Sequence, residues 1–269
     1  MSGCGRIEAT FASLGGIGLM THAVCGYPDM EASARILLAA SRSGADFLEA
    51  QLPFSEPSAD GPLIVGANHE ALRRGAGTAA ALGMLAALRR TCDTPILVMS
   101  YLNPLIARGI DRILGEIGAA GLDGLIVPDY PDDELEYAIA EKCAALGLAF
   151  VPLIAPTTSL ERAASLAAAS NSPFVYSVLR LGVTGRRTEL DATALAGLDA
   201  LKERTGRRVA AGFGIAERAQ VEALSGHADC AVVGSALLSR LMAAIGAGED
   251  PAEAAAGFVA SLARSPSGS

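Results

Sequence analysis

Residues 122–154 read LDGLIVPDYPDDELEYAIAEKCAALGLAFVPLI. An apolar run, Leu122–Pro128, reads as a strand. Asp132–Leu146 reads as a helix, and Leu148–Ile154 as a second strand. The same period continues downstream. Leu160–Ala169 is helical, Phe174–Leu179 a strand, and Arg180–Thr188 a Gly-rich loop. Asp191–Thr205 is a helix, Arg207–Ala211 a strand, Ala216–Ser225 a helix and Asp229–Gly234 a strand. From Ala236 the chain is helical, broken near Gly246–Pro251, and Ser265–Ser269 forms a frayed tail.

Upstream the rhythm is looser but of the same kind. Residues 1–16 are a lead-in with a short helix at Ile7–Ser13. Ile17–Val24 is a strand, and Asp29 is placed to cap a helix over Met30–Ser43. Asp46–Gln51 is a strand followed by a loop rich in Pro and Ser, from Leu52 to Gly61. The helices Leu63–Arg74 and Thr78–Arg90 are divided at Gly75–Gly77. Pro95–Tyr101 is apolar on both faces, as a strand covered on both sides must be, and the helix Ile110–Ala120 stops at Gly121. Alternating units of this kind imply a parallel sheet. Eight of them in 269 residues fit one closed (β/α)8 barrel, an α/β single domain over residues 1–269. A doubly wound open sheet is the alternative, disfavoured because no GxGxxG follows the first strand.

Composition narrows the function classes. The net charge of -8 and the lack of a basic stripe argue against nucleic-acid binding. The five cysteines have no CxxC spacing and read as free thiols of a reducing compartment. The three histidines lack ligand spacing, so no metal is expected. No signal segment or transmembrane run is visible, and a cytoplasmic location is expected.

In such a barrel the C-terminal strand ends and the loops after them face the site. That rule selects Glu49, Asp60, Tyr101, Asn103, Asp129, Tyr176, Gly182–Gly185, Gly212-Phe213-Gly214 and Gly234-Ser235. The last two groups suit a phosphate, since glycine lets backbone N–H groups come close and a helix start supplies free donors. Their other reading is tight turns and a helix cap. Glu49 ends a buried strand, where a carboxylate is costly unless it is paired or used. Apolar surroundings would raise its pKa and suit it to proton transfer; the alternative is a structural acid. Asp60 lies in an Asp-Gly pair that also favours a turn. Tyr176 on local grounds reads as a core tyrosine with a satisfied hydroxyl.

Taken in order, GYPD (26–29), LEAQLPFSEPSADGP (48–62), YLNP (101–104), VPDYP (127–131), GVTG (182–185), GFGI (212–215) and VGSAL (233–237) resemble the alpha subunit of tryptophan synthase. The resemblance spans roughly Thr21 to Leu241. It implies a lyase that cleaves indole-3-glycerol phosphate to indole and glyceraldehyde 3-phosphate. It makes Glu49 the acid that protonates indole C3, Asp60 the carboxylate on the indole N–H, and Tyr176 an aid in placing substrate and Glu49. His22, Tyr101, Thr184, Gly185, Gly212, Phe213, Gly214, Gly234 and Ser235 are carried over as substrate- and phosphate-binding residues. Arg180–Leu190 corresponds to a loop that closes over substrate.

The resemblance also implies a β-subunit partner in an alpha2beta2 complex, contacted through Pro53, Ser55, Glu56 and Pro57. It implies no cofactor in this chain, pyridoxal phosphate belonging to that partner. The departures are Ala50-Gln51 for the usual Leu-Gly, Glu56 for Asp, Ser58 for an apolar residue, and His22 for an aromatic beside the indole. Leu181 and Arg186-Arg187 alter the surroundings of the mobile loop. The alternatives are a free-standing lyase of the same chemistry, or a weakly catalytic barrel that regulates a β partner.

Overall fold

In the computed structural model, which describes residues 2–130, 137–178, 190–212 and 214–263, the strand–helix period becomes one parallel sheet. Its strands are β1 (Gly18–Val24), β2 (Phe47–Gln51), β3 (Ile96–Met99), β4 (Gly124–Ile126), β5 (Ala149–Val151), β6 (Leu153–Ile154), β7 (Phe174–Val178), β8 (Arg208–Gly212) and β9 (Cys230–Val233). The order is β5-β4-β3-β2-β1-β9-β8-β7-β6, and the pairings are parallel.

The two ends of that order, β5 and β6, are successive pieces of the strand expected over Leu148–Ile154. Only Pro152 separates them. Proline has no N–H for a ladder, and the strand changes neighbours there. β5 pairs with β4 and β6 with β7, while the Pro152 carbonyl accepts from Tyr176 N at 2.9 Å. The sheet so returns to its start as a (β/α)8 barrel whose fifth strand is divided. The open-sheet alternative falls with that closure.

The helices are α1 (Gly3–Ser13), α2 (Met30–Arg42), α3 (Pro62–Arg73), α4 (Thr78–Arg89), α5 (Leu102–Arg108), α6 (Ile110–Ala119), α7 (Ile139–Ala145), α8 (Leu160–Ala169), α9 (Ala192–Thr205), α10 (Arg218–Ala223), α11 (Ser235–Gly246) and α12 (Pro251–Leu262). Asp29 caps α2 as read, its side chain accepting from Ala32 N. α1 begins at Gly3 rather than Ile7, because Ser2 caps it through Gly5 N.

α5 is absent from the sequence reading, which places no element between Tyr101 and Ile110. Pro104 lies in the first turn, where an N–H is not needed, and the Leu102 N–H is taken by Asp129 Oδ1 at 2.8 Å. Part of the helix expected over Asp132–Leu146, the Gly-rich loop Arg180–Thr188 and the tail Ser265–Ser269 lie outside the described residues.

Alternation along the strands separates two apolar cores. Leu48, Ala50, Ile96, Val98, Leu125 and Val209 point outward into the helical shell. Phe47, Leu97, Met99, Ile126, Val151 and Phe174 point inward and stack inside the barrel with Ile7 and Phe11 of α1. Among the described residues no helix is long and apolar enough to cross a membrane.

Candidate active site

The inner face of β2 carries Phe47, Glu49 and Gln51, spaced by two. Phe47 sits deepest in apolar contact. Glu49 lies one step nearer the C-terminal end, and Gln51 is the last residue of the strand. Glu49 is paired in register with His22 of β1, so an imidazole and a carboxyl stand side by side. Both are buried.

Burial is the main influence on Glu49 and pushes its carboxyl above the usual range. His22 pulls it down, the Asp60 charge adds to the rise, and a hydrogen bond from Tyr176 lowers it. Glu49 Oε2 is buried with no hydrogen-bond partner among the described residues. The Tyr176 hydroxyl is itself driven well above its ordinary value, first by burial and then by Glu49. It therefore stays protonated and donates.

Asp60 enters from the loop between β2 and α3. A turn sets it there, with Asp60 N donating to Pro57 O at 3.0 Å, so the turn reading and the site reading of Asp-Gly both hold geometrically. The carboxyl points inward and is buried. Its Oδ2 accepts from Tyr101 OH at 2.9 Å and from Gln51 Nε2 at 2.7 Å. Gln51 Oε1 lies 2.8 Å from His22 Nε2, and Ala59 N donates to the Tyr101 oxygen at 3.1 Å. One continuous network thus links His22, Gln51, Asp60 and Tyr101.

The remaining candidates fall as follows. Tyr101, expected to face substrate, spends its hydroxyl on Asp60 and is fully buried. Gly212 ends β8 directly against Tyr176, where an added Cβ would lie 2.9 Å from the hydroxyl. Only glycine leaves the tyrosine room. Gly214 follows with φ +51°. Gly234 and Ser235 begin α11, which has no side-chain cap. Its free N–H groups and dipole favour an anion. Phe213, Thr184 and Gly185 lie outside the described residues.

Asp129 is used by the start of α5, and Asn103 lies within that helix. In the loop after β2, Ser55 and Glu56 are exposed while Pro53 and Pro57 are buried. The loop is tied down by Phe54 N donating to Asn68 Oδ1 at 3.0 Å and by His69 Nε2 at 2.8 Å from Ser55 O. Neither Asn68 nor the bridging geometry of Gln51 was recognised in the sequence. For Gln51 a signal existed, since its spacing of two from Glu49 puts both on one face. No group of three or more His, Cys, Asp or Glu side chains is arranged to hold a metal among the described residues.

What this arrangement offers is a buried protonatable carboxyl, a second carboxylate held by donors, and a helix start with no side-chain cap at one barrel mouth. Comparison with known proteins is consistent with it. The family described as tryptophan synthase alpha chain matches residues 11–264. The tryptophan synthase alpha chain of Prochlorococcus marinus is 42% identical over 231 residues, covering 86% of this chain and 83% of its own. That of Carboxydothermus hydrogenoformans is 39% identical over 238 residues, 88% of each chain. Among solved structures, a chain of Mycobacterium tuberculosis tryptophan synthase is 30% identical with a TM-score of 0.85, covering 96% of both chains. The tryptophan synthase A-subunit of Pyrococcus furiosus is 32% identical with a TM-score of 0.82, covering 91% of this chain and 97% of that one.

Proposed function

The chain belongs to the tryptophan synthase alpha chain family, lyases acting on indole-3-glycerol phosphate, and we propose that Glu49, Asp60 and Tyr176 divide the cleavage among them. Glu49 in its protonated form gives its proton to C3 of the indole ring. The ring nitrogen takes on positive charge, and Asp60 stabilises it by accepting the N–H. That interaction strengthens as the charge develops, which is where it lowers a barrier. The bond from C3 to the glycerol chain then breaks, and its electron pair returns to the ring. The adjoining hydroxyl loses its proton to the Glu49 carboxylate and becomes the aldehyde of glyceraldehyde 3-phosphate. Indole leaves, and Glu49 is again protonated. Tyr176 holds the Glu49 carboxyl in place.

The observation that carries this reading is Glu49 Oε2, buried without a hydrogen-bond partner among the described residues. Such an atom costs about 1–3 kcal/mol, and a substrate atom as its partner explains why the fold tolerates it. The Gly212, Gly214, Gly234 and Ser235 turns take the substrate's phosphate. A β-subunit partner in an alpha2beta2 complex, holding pyridoxal phosphate and receiving the indole, belongs to the same proposal. Likeness to a chain of M. tuberculosis tryptophan synthase supports it, and Ser55 and Glu56 are the exposed residues offered to that partner. The test is indole release from indole-3-glycerol phosphate by the purified chain, alone and with its β partner. Slow release that rises on mixing is expected. No release in either case rejects the reading.

A further inference from the structure

We infer that His22 and Gln51 form a directed hydrogen-bond relay that positions Asp60. The inference rests on the cleavage reading above and assigns Gln51 and His22 as positioning residues.

Direction follows from what each atom is able to do. The Gln51 side chain has one acceptor, Oε1, and one donor nitrogen, Nε2. Facing the carboxylate at 2.7 Å, that nitrogen donates to Asp60 Oδ2. The reverse orientation would press two acceptor oxygens together at that distance. Oε1 is thereby turned to His22 Nε2 at 2.8 Å, so this ring nitrogen must carry a proton. On the other side of Asp60, Ala59 N–H donates to the Tyr101 oxygen, which leaves the tyrosine proton for Asp60 Oδ2. Oδ2 thus receives two donors from opposite elements, one from β2 and one from the segment after β3. Both of its lone pairs are used by these two donors.

The surroundings make the relay strong. Gln51 is 0% exposed, His22 7% and Asp60 8%, so water does not compete for these bonds and they act in a low-dielectric interior. His22 is also held from behind. Its ring lies against Gly234, where an added Cβ would come within 3.4 Å of Nδ1. The imidazole is therefore packed between the head of α11 and the glutamine, and its Nε2 proton points one way. A glycine at position 51 would remove the Gln51 donor from Asp60 and would leave the His22 proton without the glutamine oxygen.

The test uses the full-length chain. Gln51→Met keeps the side chain's length and removes both polar atoms. It lowers kcat by about tenfold or more with KM changed less than about threefold, the loss of one hydrogen bond to a charged group that matters in the transition state. In an Asp60→Asn background the same change lowers kcat by less than about twofold further, because its effect passes through Asp60. An unchanged kcat in the parent, or equal falls in both backgrounds, overturns the relay.

A second readout does not depend on turnover. Long-range proton–nitrogen NMR of the imidazoles, with His22→Phe to assign the signal, shows the His22 Nε2 protonated, and its resonance shifts in Gln51→Met. A His22 ring protonated on Nδ1 alone overturns the relay whether or not the chain cleaves indole-3-glycerol phosphate. Failure of the unsubstituted chain to release indole rejects the cleavage reading and leaves the tautomer to decide the relay.

Discussion

At Glu49 stability and chemistry pull in opposite directions. The carboxyl is held above its ordinary range chiefly by burial, which suits it to give up a proton near neutral pH. Glu49→Gln keeps the shape and removes the acid, so kcat for indole release falls by at least about 100-fold, within the usual range for a general acid. An unchanged rate assigns the proton to another group. The same substitution makes the fold more stable at the higher pH, where the parent's carboxyl must ionise. A folded-state pKa above the unfolded one means that the native chain binds the extra proton, so stability is full below the ordinary carboxylate range and falls as pH rises through the raised value. The unfolding temperature of Glu49→Gln therefore matches the parent's at low pH and exceeds it increasingly as pH rises. Equal unfolding temperatures across that window would show that burial costs Glu49 nothing. At this scale the sequence was partly legible. An acid inside an otherwise apolar strand identifies Glu49, and its neighbour two positions on shares its face. The partners of Gln51, drawn from another strand and from a loop, depend on barrel closure and cannot be read locally.

The elements divide the same way. β3, β4 and α8 were legible because a short apolar run or an amphipathic period is a local property. The split at Pro152 and the helix α5 were not, because each depends on a partner elsewhere: Tyr176 N for the Pro152 carbonyl, and Asp129 for the start of α5. The loop that carries Asp60 is a third case. It is rich in Pro and Ser and reads as irregular, yet α3 organises it. Asn68, fully buried, accepts from Phe54 N and donates to the Ile64 carbonyl. Asn68→Ala leaves the Phe54 N–H without its acceptor, at a cost of about 1–3 kcal/mol. Because that loop ends in Asp60, the variant loses kcat as well as stability, by about threefold to tenfold at a temperature where it remains folded. Loss of stability with kcat intact would mean that Pro57, Tyr101 and Gln51 suffice to hold Asp60. His69→Ala removes a contact at an exposed position and shifts both quantities less.

For the whole molecule the decisive asymmetry is between the two mouths of the barrel. The site occupies the end where β2 delivers Gln51 and α11 begins, and α1 closes the other. The sequence reads α1 as a short helix in a lead-in, since nothing local says what Ile7 and Phe11 face. In the fold they face the barrel interior. Phe11 packs on Phe47 at 4.6 Å and Phe174 at 5.6 Å between ring centroids, with the Arg208 guanidinium 5.2 Å above its ring. Asp123 fastens the rim. It is fully buried, pairs with Arg6 of α1 and Arg89 of α4, and accepts from Ile96 N at the start of β3. Burial of this carboxyl outweighs those donors and still raises its pKa, so it needs all of them. The plug and the chemistry share strands β2 and β7, where Phe47 and Glu49, and likewise Phe174 and Tyr176, are separated by about 7 Å along the strand. Phe11→Ala therefore removes an aromatic from a packed core and costs about 3–5 kcal/mol, read as a lower unfolding temperature or denaturant midpoint. Well below that temperature its kcat stays within about twofold of the parent's, because the strand ladder fixes Glu49 from β1 and β3. A kcat that falls in proportion to stability would show that the two mouths are coupled, and that α1 tunes the acid as well as closing the barrel beneath it.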